Sequence, residues 1–387
     1  MLLLLLFFLV STDPPTQILQ RGLVALQHGE LAQAQAAFEE VTRRDPHNPY
    51  AWVSLAETYL RLKRPDSAEK AARQAEAFGS AIPAIDHALA MYYSKTGEFA
   101  HAAEMEQKFA LSGKADAAAE ERAAALYLNA GKLPEALAAA EKAVQGHPSA
   151  EAENVLGRAL LATGKTAEGQ SHLRAAWQNA KTDSRFAFDY AETLLRQQNF
   201  DQADEVLTPA LEAHPEDAQL VLAEGVVRYG QRRFEDAIIA FLHVVRIDPQ
   251  VGQPYSFLGR MLDQAGPHLP EITLAYENWS SRNPSNAEAC LLLAKARLAS
   301  DSKNPAAEGL LRKSIALDGA SWEAHYELGV VLEGKRDWTA AAAELRRSAD
   351  LDAAQAMPHY HLARVYDRLG EGEKAKAERE LHAKLTN

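Results

Sequence analysis

Small residues recur along this sequence at a nearly constant spacing, and that spacing constrains the fold more than any other feature. The first set contains only glycine and alanine, 33 to 35 residues apart: Gly22, Ala56, Ala90, Ala124, Gly157, Ala191, Gly225, Gly259, Ala294, Gly329 and Ala363. The second set lies twelve residues further on, and only Glu271 among its eleven members is large: Ala34, Ala68, Ala102, Ala136, Gly169, Ala203, Ala237, Glu271, Ala306, Ala341 and Ala375. Repetition at this period indicates a stack of similar structural units, each packing on the next.

Each repeated segment has the pattern of two amphipathic helices. In residues 218–251, apolar side chains recur every three or four positions on both sides of a polar break at residues 230–233. Pro249 closes the second helix because proline cannot continue one. The sequence therefore predicts an all-α protein of about eleven helix-turn-helix repeats, near residues 15–48, 49–82, 83–116, 117–149, 150–183, 184–217, 218–251, 252–286, 287–321, 322–355 and 356–387.

The eighth of these segments departs from the pattern. A run of Gly266-Pro267-His268-Leu269-Pro270 replaces the simple turn, and Glu271 follows at a position that is small elsewhere. A large charged residue cannot enter a close helix–helix contact without an unfavourable desolvation cost. We therefore expect the second helix of this repeat to be shifted.

This pattern resembles the tetratricopeptide repeat, over nearly all of the chain beyond Pro15. The residues that carry the resemblance include a large apolar side chain just before the first small position, as at Leu258, and an aromatic three residues after it, as at Tyr59. Glycine between the two helices, as at Gly97, completes the pattern. The resemblance implies a right-handed superhelical solenoid whose concave groove is lined by the first helix of each repeat.

Carried over by position, the resemblance implies a set of groove residues in which aromatic side chains alternate with cations. These residues are Asn154, Arg158, Arg185, Phe188, Glu192, Arg196, Tyr229, Phe257, Arg260, Lys295, Tyr326, Tyr360, His361 and Arg364. Aromatic rings offer contact area at low entropic cost, and arginine binds carboxylates in a bidentate manner. The expected ligand is a protein or peptide. In the alternative interpretation, the aromatics only bridge adjacent repeats and the arginines pair with Glu192 or neighbouring acids.

The net charge and the cysteine content argue against some classes of function. The net charge of −12 disfavours nucleic-acid binding, which requires a basic surface. The single cysteine, Cys290, excludes an internal disulfide, and its position on a first helix predicts a small buried residue rather than a nucleophile.

Two short patterns resemble a phosphate-binding loop and a metal site. Residues 159–166 fit a loose phosphate-binding loop, but the real loop requires a preceding strand, and here a helix is predicted. His325, His359 and His361 lack a cysteine or carboxylate at recognisable metal-ligand spacing, and His325 and His359 occupy equivalent packing positions. We therefore predict no metal, no cofactor and no catalytic residue.

The first fourteen residues differ from the rest of the chain. Leu2–Val10 is an unbroken apolar run that suits the hydrophobic core of a secretory signal or a truncated membrane anchor, although no lysine or arginine precedes it. We expect an exported, periplasmic or envelope-associated protein, with a cytoplasmic location as the alternative, and membrane contact only through this segment.

The sequence predicts a non-catalytic scaffold that binds a protein or peptide in its groove. Two alternatives remain open. The first is a structural subunit of an envelope assembly or secretion machine that uses its outer face, and the second is an enzyme or carbohydrate-binding solenoid.

Overall fold

A computed structural model describes residues 13–80 and 82–386 of the chain. In this part of the chain every regular element is a helix, and the predicted all-α fold of repeated helix-turn-helix pairs is confirmed. The apolar run at residues 2–10, on which the expectation of export rests, lies outside the described residues. None of the described helices is both long enough and apolar enough to cross a lipid bilayer.

The chain divides into two compact units, unit 1 (Met1–Lys181) and unit 2 (Thr182–Asn387). Within each unit, the two helices of a repeat pack on each other and then on the next repeat. Unit 1 contains α1 (Pro15–Gln27), α2 (Leu31–Arg44), α3 (Pro49–Arg61), α4 (Pro65–Gly79), α5 (Pro83–Thr96), α6 (Phe99–Ala110), α7 (Ala119–Asn129), α8 (Leu133–Gly146), α9 (Ala150–Ala162) and α10 (Thr166–Asn179). Unit 2 contains α11 (Ser184–Arg196), α12 (Phe200–Ala213), α13 (Ala218–Gly230), α14 (Phe234–Ile247), α15 (Gln253–Arg260), two short 3-10 helices (Leu262–Gln264 and Gly266–His268), α16 (Leu269–Arg282), α17 (Ala287–Ser300), α18 (Ala307–Leu317), α19 (Trp322–Gly334), α20 (Trp338–Leu351), α21 (Ala356–Leu369) and α22 (Gly372–Thr386).

The small residues lie where the two helices of a repeat meet. All eleven members of the first set are buried. A Cβ atom built on Gly225 would lie 2.6 Å from the ring of Phe241, well inside the contact distance of two carbons. The α13 backbone thus packs directly on a ring of α14, and the close approach that the small residues predict is present.

Two members of the second set do not occupy the predicted position. Glu271 is exposed and Ile272 is fully buried in its place, and likewise Ala306 is exposed while Ala307 is fully buried. In both repeats one extra residue before the second helix displaces that helix by one position. The shift of α16 was predicted, whereas the prediction that Ala306 packs inside was wrong.

In ten of the eleven repeats the turn between the two helices uses a left-handed residue at one fixed position, seven residues after the first small residue; the exception is Asp301, with φ of −149°. Six glycines and four other residues have positive φ there: Gly29, Lys63, Gly97, Gly131, Gly164, Gln198, Arg232, Gly266, Arg336 and Gly370. Non-glycine residues adopt this conformation at a cost of about 1–2 kcal/mol. The tight turn is therefore imposed by the helix packing even where the sequence offers no glycine.

This turn also accounts for the phosphate-loop pattern at residues 159–166. α9 ends at Ala162, α10 begins at Thr166, and Gly164 between them has φ of +84°. The glycine is the turn residue of its repeat. Cys290 is fully buried with a free thiol, and the prediction of a small packed residue is confirmed.

Candidate functional site

The first helices of successive repeats lie side by side within unit 2, as the contacts of α11 with α13, α15 with α17 and α19 with α21 show. We call the surface formed by α11, α13, α15, α17, α19 and α21 the first-helix face of unit 2. Twelve of the fourteen predicted residues belong to these helices. Asn154 and Arg158 lie on α9 in unit 1 instead.

Tyr229, Phe257 and Arg260 form one part of this face, which we call the aromatic–arginine site. The Tyr229 ring lies 5.4 Å from Phe257 in an edge-on arrangement, and Phe257 stacks at 4.7 Å on the buried Phe241. The Arg260 guanidinium lies 5.5 Å from the centre of the Phe257 ring. Arg260 is exposed and makes no ion pair with any residue in the described part of the chain. The site therefore presents one free cation beside two partly exposed rings.

A second cluster is centred on Glu333, which is buried. His361 Nδ1 donates to Oε2 of Glu333 at 2.5 Å, and Arg364 lies 3.2 Å from Oε1. Tyr326 lies with its hydroxyl 3.4 Å from His361 Nε2, and the exposed Tyr360 packs edge-on against His361. We call these five residues the Glu333 cluster. His361 was predicted to face a partner but is 9% exposed, because the buried carboxylate draws it inward.

The Glu333 cluster borders an open pocket of about 460 Å³. Trp338 and Arg368 also line it, with the Arg368 guanidinium 6.0 Å from the indole ring. The pocket offers an aromatic wall and two exposed guanidinium groups, those of Arg364 and Arg368. Glu333 and Asp367 also line the pocket, and they balance these two positive charges. The aromatic wall and the guanidinium groups therefore suit an aromatic group of a ligand.

Charged groups lie between these two sites. Lys295 of α17 pairs with Glu323 of α19. Glu327, one turn after Glu323, is half-buried. Burial raises the pKa of Glu327 to about 7; Lys295 opposes this shift, and the negative charges of Glu323 and Asp263 add to it. A carboxyl group that titrates near neutral pH therefore lies in the middle of the first-helix face.

The remaining predicted residues contribute less free surface. Arg196 pairs with Glu192 at 2.8 Å, and Arg185 pairs with Asp183 at 3.3 Å, as the alternative interpretation expects. Phe188 is half-buried, and Arg158 is exposed. Asn154 was predicted to line the groove, but it is 2% exposed and lies inside unit 1. The burial follows from packing at the centre of α9, where Ala152 and Val155 are also buried.

Two of the three histidines that suggested a metal site are instead bonded to carboxylates on the second helix of their own repeats, and the third, His361, is bonded to Glu333 on a first helix. His325 Nδ1 lies 2.6 Å from Glu344, and His359 Nδ1 lies 2.6 Å from Glu378. Among the described residues, no group of three or more histidine, cysteine or acidic side chains could hold a metal ion. Sequence reasoning missed both glutamates, although the shared separation of nineteen residues was a signal available in the sequence.

The repeat pattern of this chain matches that of a known protein family. A family model described as tetratricopeptide repeat matches residues 19–83, 121–184, 188–251 and 291–358, about two thirds of the chain. No protein with curated annotation matches the sequence.

Three solved structures illustrate the structural likeness. Yeast Tom70 is 12% identical, with 96% of this chain and 92% of Tom70 covered and a TM-score of 0.40. A human IFIT1 dimer with PPP-AAAA is 17% identical, with 97% and 92% covered and a TM-score of 0.44. Pseudomonas aeruginosa pilF is 16% identical, with 64% and 97% covered and a TM-score of 0.41.

Proposed function

Because the chain belongs to the tetratricopeptide repeat family, we propose that it is a non-catalytic scaffold that binds a protein or peptide on the first-helix face of unit 2. The aromatic–arginine site carries this proposal. Arg260 is an exposed cation beside the rings of Tyr229 and Phe257, without a carboxylate of its own in the described residues. A partner that places a carboxylate next to an apolar side chain satisfies both the cation and the rings.

The Glu333 cluster supplies the second contact. Tyr360 is exposed, and the Arg364 guanidinium lies 5.6 Å from the centre of its ring, so an aromatic and a cation again stand together. The hydrogen bond between His361 and Glu333 holds the base of the cluster in place. Three helix-to-helix steps of about 8–10 Å separate α15 from α21, roughly the length of an extended segment of eight residues. The proposed ligand is therefore an extended peptide segment with an acidic residue near one end.

Peptide display on the intact protein tests this function. Selected peptides are measured by fluorescence anisotropy against the parent protein, Arg260→Ala, Tyr229→Ala and the control Arg347→Ala, an exposed arginine on the second helix α20. Loss of a charge-assisted hydrogen bond predicts about tenfold weaker binding to Arg260→Ala and unchanged binding to the control. Selected peptides that bind the parent, Arg260→Ala and Tyr229→Ala equally tightly refute the proposal.

We also propose that the protein is exported, on the basis of the apolar run at residues 2–10. Cell fractionation followed by mass spectrometry of the N-terminus tests this point independently of ligand binding. Export predicts a mature protein that begins after this run, or an intact one that sediments with membranes. An intact Met1 on a soluble cytoplasmic protein contradicts it.

A further inference from the structure

Unit 1 contains a pocket that lies outside the residues considered above. It is formed by α5 and α7, the first helices of two successive repeats, with α6 beside them, and has a volume of about 300 Å³. This is roughly twice the ~150 Å³ of a cavity that accommodates a benzene-sized ligand. The pocket is open to solvent on the face formed by the first helices.

The two helices present the same pattern of side chains to this pocket. On α5 the lining residues are His87, Ala90, Met91 and Ser94; on α7 they are Arg122, Ala125, Leu126 and Asn129. In both helices the spacing is i, i+3, i+4 and i+7, which places the four side chains on one face. Each residue of α7 follows its counterpart on α5 by 35 positions. The pocket therefore has a charged end, an apolar middle and a neutral polar end.

The charged side chains at this end of the pocket are bonded to one another. Glu106 is 1% exposed and accepts hydrogen bonds from His87 Nδ1 at 2.8 Å and from Arg122 Nε at 2.7 Å. Arg122 Nη2 also forms an ion pair with Asp116 at 2.9 Å. Each formal charge thus already has a partner. A charged guest would have to break one of these pairs or lose its hydration without compensation.

The middle of the pocket is suited to an apolar side chain. Ala90 and Ala125 leave room between the helices, and Met91 and Leu126 flank that space. Met91 is 52% exposed, so a ligand in the pocket can cover its apolar side chain. Methionine adapts its shape to differently shaped apolar neighbours. An apolar guest removes this exposed surface from water.

The polar end is suited to a peptide backbone. Ser94 and Asn129 lie one turn beyond Met91 and Leu126 on the same faces. The asparagine side chain has both donors and an acceptor, so it can pair with a backbone carbonyl and a backbone N–H at once. These groups carry no net charge and show no preference for an acidic or a basic ligand.

We propose that this pocket binds one large apolar side chain, such as leucine, from an extended peptide, and that Asn129 hydrogen-bonds the peptide backbone beside it. The proposal deepens the peptide-binding function above but concerns unit 1. The proposal identifies an apolar anchor residue of the ligand, whereas the first-helix face of unit 2 is proposed to bind a carboxylate.

Methyl NMR of the full-length protein with [methyl-13C]methionine tests this pocket directly. Met105 and Met261 are buried, whereas Met357, at 47% exposure, is an internal control for surface effects. The probes are N-acetyl-leucinamide, N-acetyl-alaninamide, N-acetyl-lysinamide and N-acetyl-aspartamide, and a Met91→Leu variant assigns the Met91 signal.

Titration with the leucine derivative is expected to shift the Met91 signal saturably and to leave Met357 unchanged. Partial burial of the leucine side chain predicts binding about tenfold tighter than for the alanine derivative. The charged derivatives are expected to bind more weakly than leucine. A Met91 response that is absent, equals that of Met357, or is as strong for lysine or aspartate overturns the proposal.

Asn129→Ala separates the two parts of the proposed contact. Asn129 is exposed, so its replacement leaves the packing of unit 1 intact. We expect the leucine and alanine derivatives to lose affinity by the same factor, about fivefold, because both make the backbone contact. Asn278→Ala, an exposed asparagine on α16, is the matched control. Unchanged affinity in Asn129→Ala refutes the role of Asn129 in binding the peptide backbone, whatever the outcome of the unit 2 experiments.

Discussion

Replacement of Gly225 by alanine tests the packing on which the fold is built. A Cβ atom at Gly225 would lie 2.6 to 2.9 Å from three atoms of the Phe241 ring, which is fully buried and stacked on Phe257. The ring must move, and such overpacking costs about 1–3 kcal/mol. Alanine also favours the helix over glycine by about 1 kcal/mol. The net expectation for Gly225→Ala is a loss of about 1 kcal/mol in the stability of α13 and α14.

The assay is native-state hydrogen exchange of the intact protein, followed for peptides within residues 218–247. A loss of about 1 kcal/mol corresponds to roughly fivefold faster exchange there. Gly309→Ala is the control, because Gly309 is exposed on α18 and a Cβ there would contact nothing within 4 Å. That change is expected to slow exchange in α18 through helix propensity alone.

A second substitution identifies the cause. Phe241→Leu removes the ring, so adding Gly225→Ala to Phe241→Leu should cost less than adding it to the parent protein. Slower exchange in Gly225→Ala, or an equal cost in both backgrounds, would refute the argument that ring contact excludes a larger residue.

Three further predictions concern turns, charge and helix pairing. Arg232→Gly should stabilise the protein by about 1 kcal/mol in urea unfolding, because the left-handed turn, with φ of +60°, strains a non-glycine residue. Glu327→Gln should match the parent at pH 4 and exceed its stability by up to about 3 kcal/mol at pH 8 in thermal unfolding. The reason is that the pKa of Glu327 is raised from 4.5 to about 7 in the folded protein, so the folded parent keeps a proton that the unfolded parent has already released. The parent therefore loses stability as the pH rises from about 4.5 to 7, whereas glutamine does not titrate. His359→Ala should destabilise α22 by about 1–3 kcal/mol, measured by hydrogen exchange, because Glu378 loses its 2.6 Å partner; His359→Ala/Glu378→Ala should recover part of that loss.

The features that were predictable from sequence are those that repeat. Spacing alone identified Gly157, Ala191 and Gly225 as buried at equivalent contacts, and all three are buried. The same spacing failed at Ala306, where one extra residue in the turn moves Ala307 into the contact. A constant repeat length identifies equivalent residues only as long as the turn between the two helices has the same number of residues in every repeat. The shift at Glu271 was predictable, because a charged residue at a small-residue position stands out in the sequence. At Ala306 the shift puts one alanine in the place of another, so the sequence gives no sign of it.

The candidate site was less predictable, because its geometry depends on residues from separate helices. The position of Arg260 on a first helix was foreseen, but its lack of an acidic partner among the described residues became visible only in the folded protein. His361 was expected to be exposed, since its position gives no sign that Glu333 of the preceding repeat lies within reach. The unit 1 pocket depends in the same way on Glu106, which joins His87 to Arg122 across two repeats.

In several repeats a smaller residue at the first small position goes with a larger residue on the second helix. Sixteen positions after Gly22 and Gly225 stand Phe38 and Phe241, and in each case a Cβ on the glycine would lie 2.6 Å from the ring. Where the first small residue is Ala56 or Ala124, the residue sixteen positions later is Ala72 or Ala140, and both are fully buried. In these four repeats a smaller residue on the first helix thus goes with a larger one on the second. The relation is not general, because Ala191 stands sixteen positions before Leu207 and both are fully buried. Glycine stands at the first small position only where a Cβ would meet a large side chain, as Gly157 with Leu173 and Gly329 with Leu345 also show.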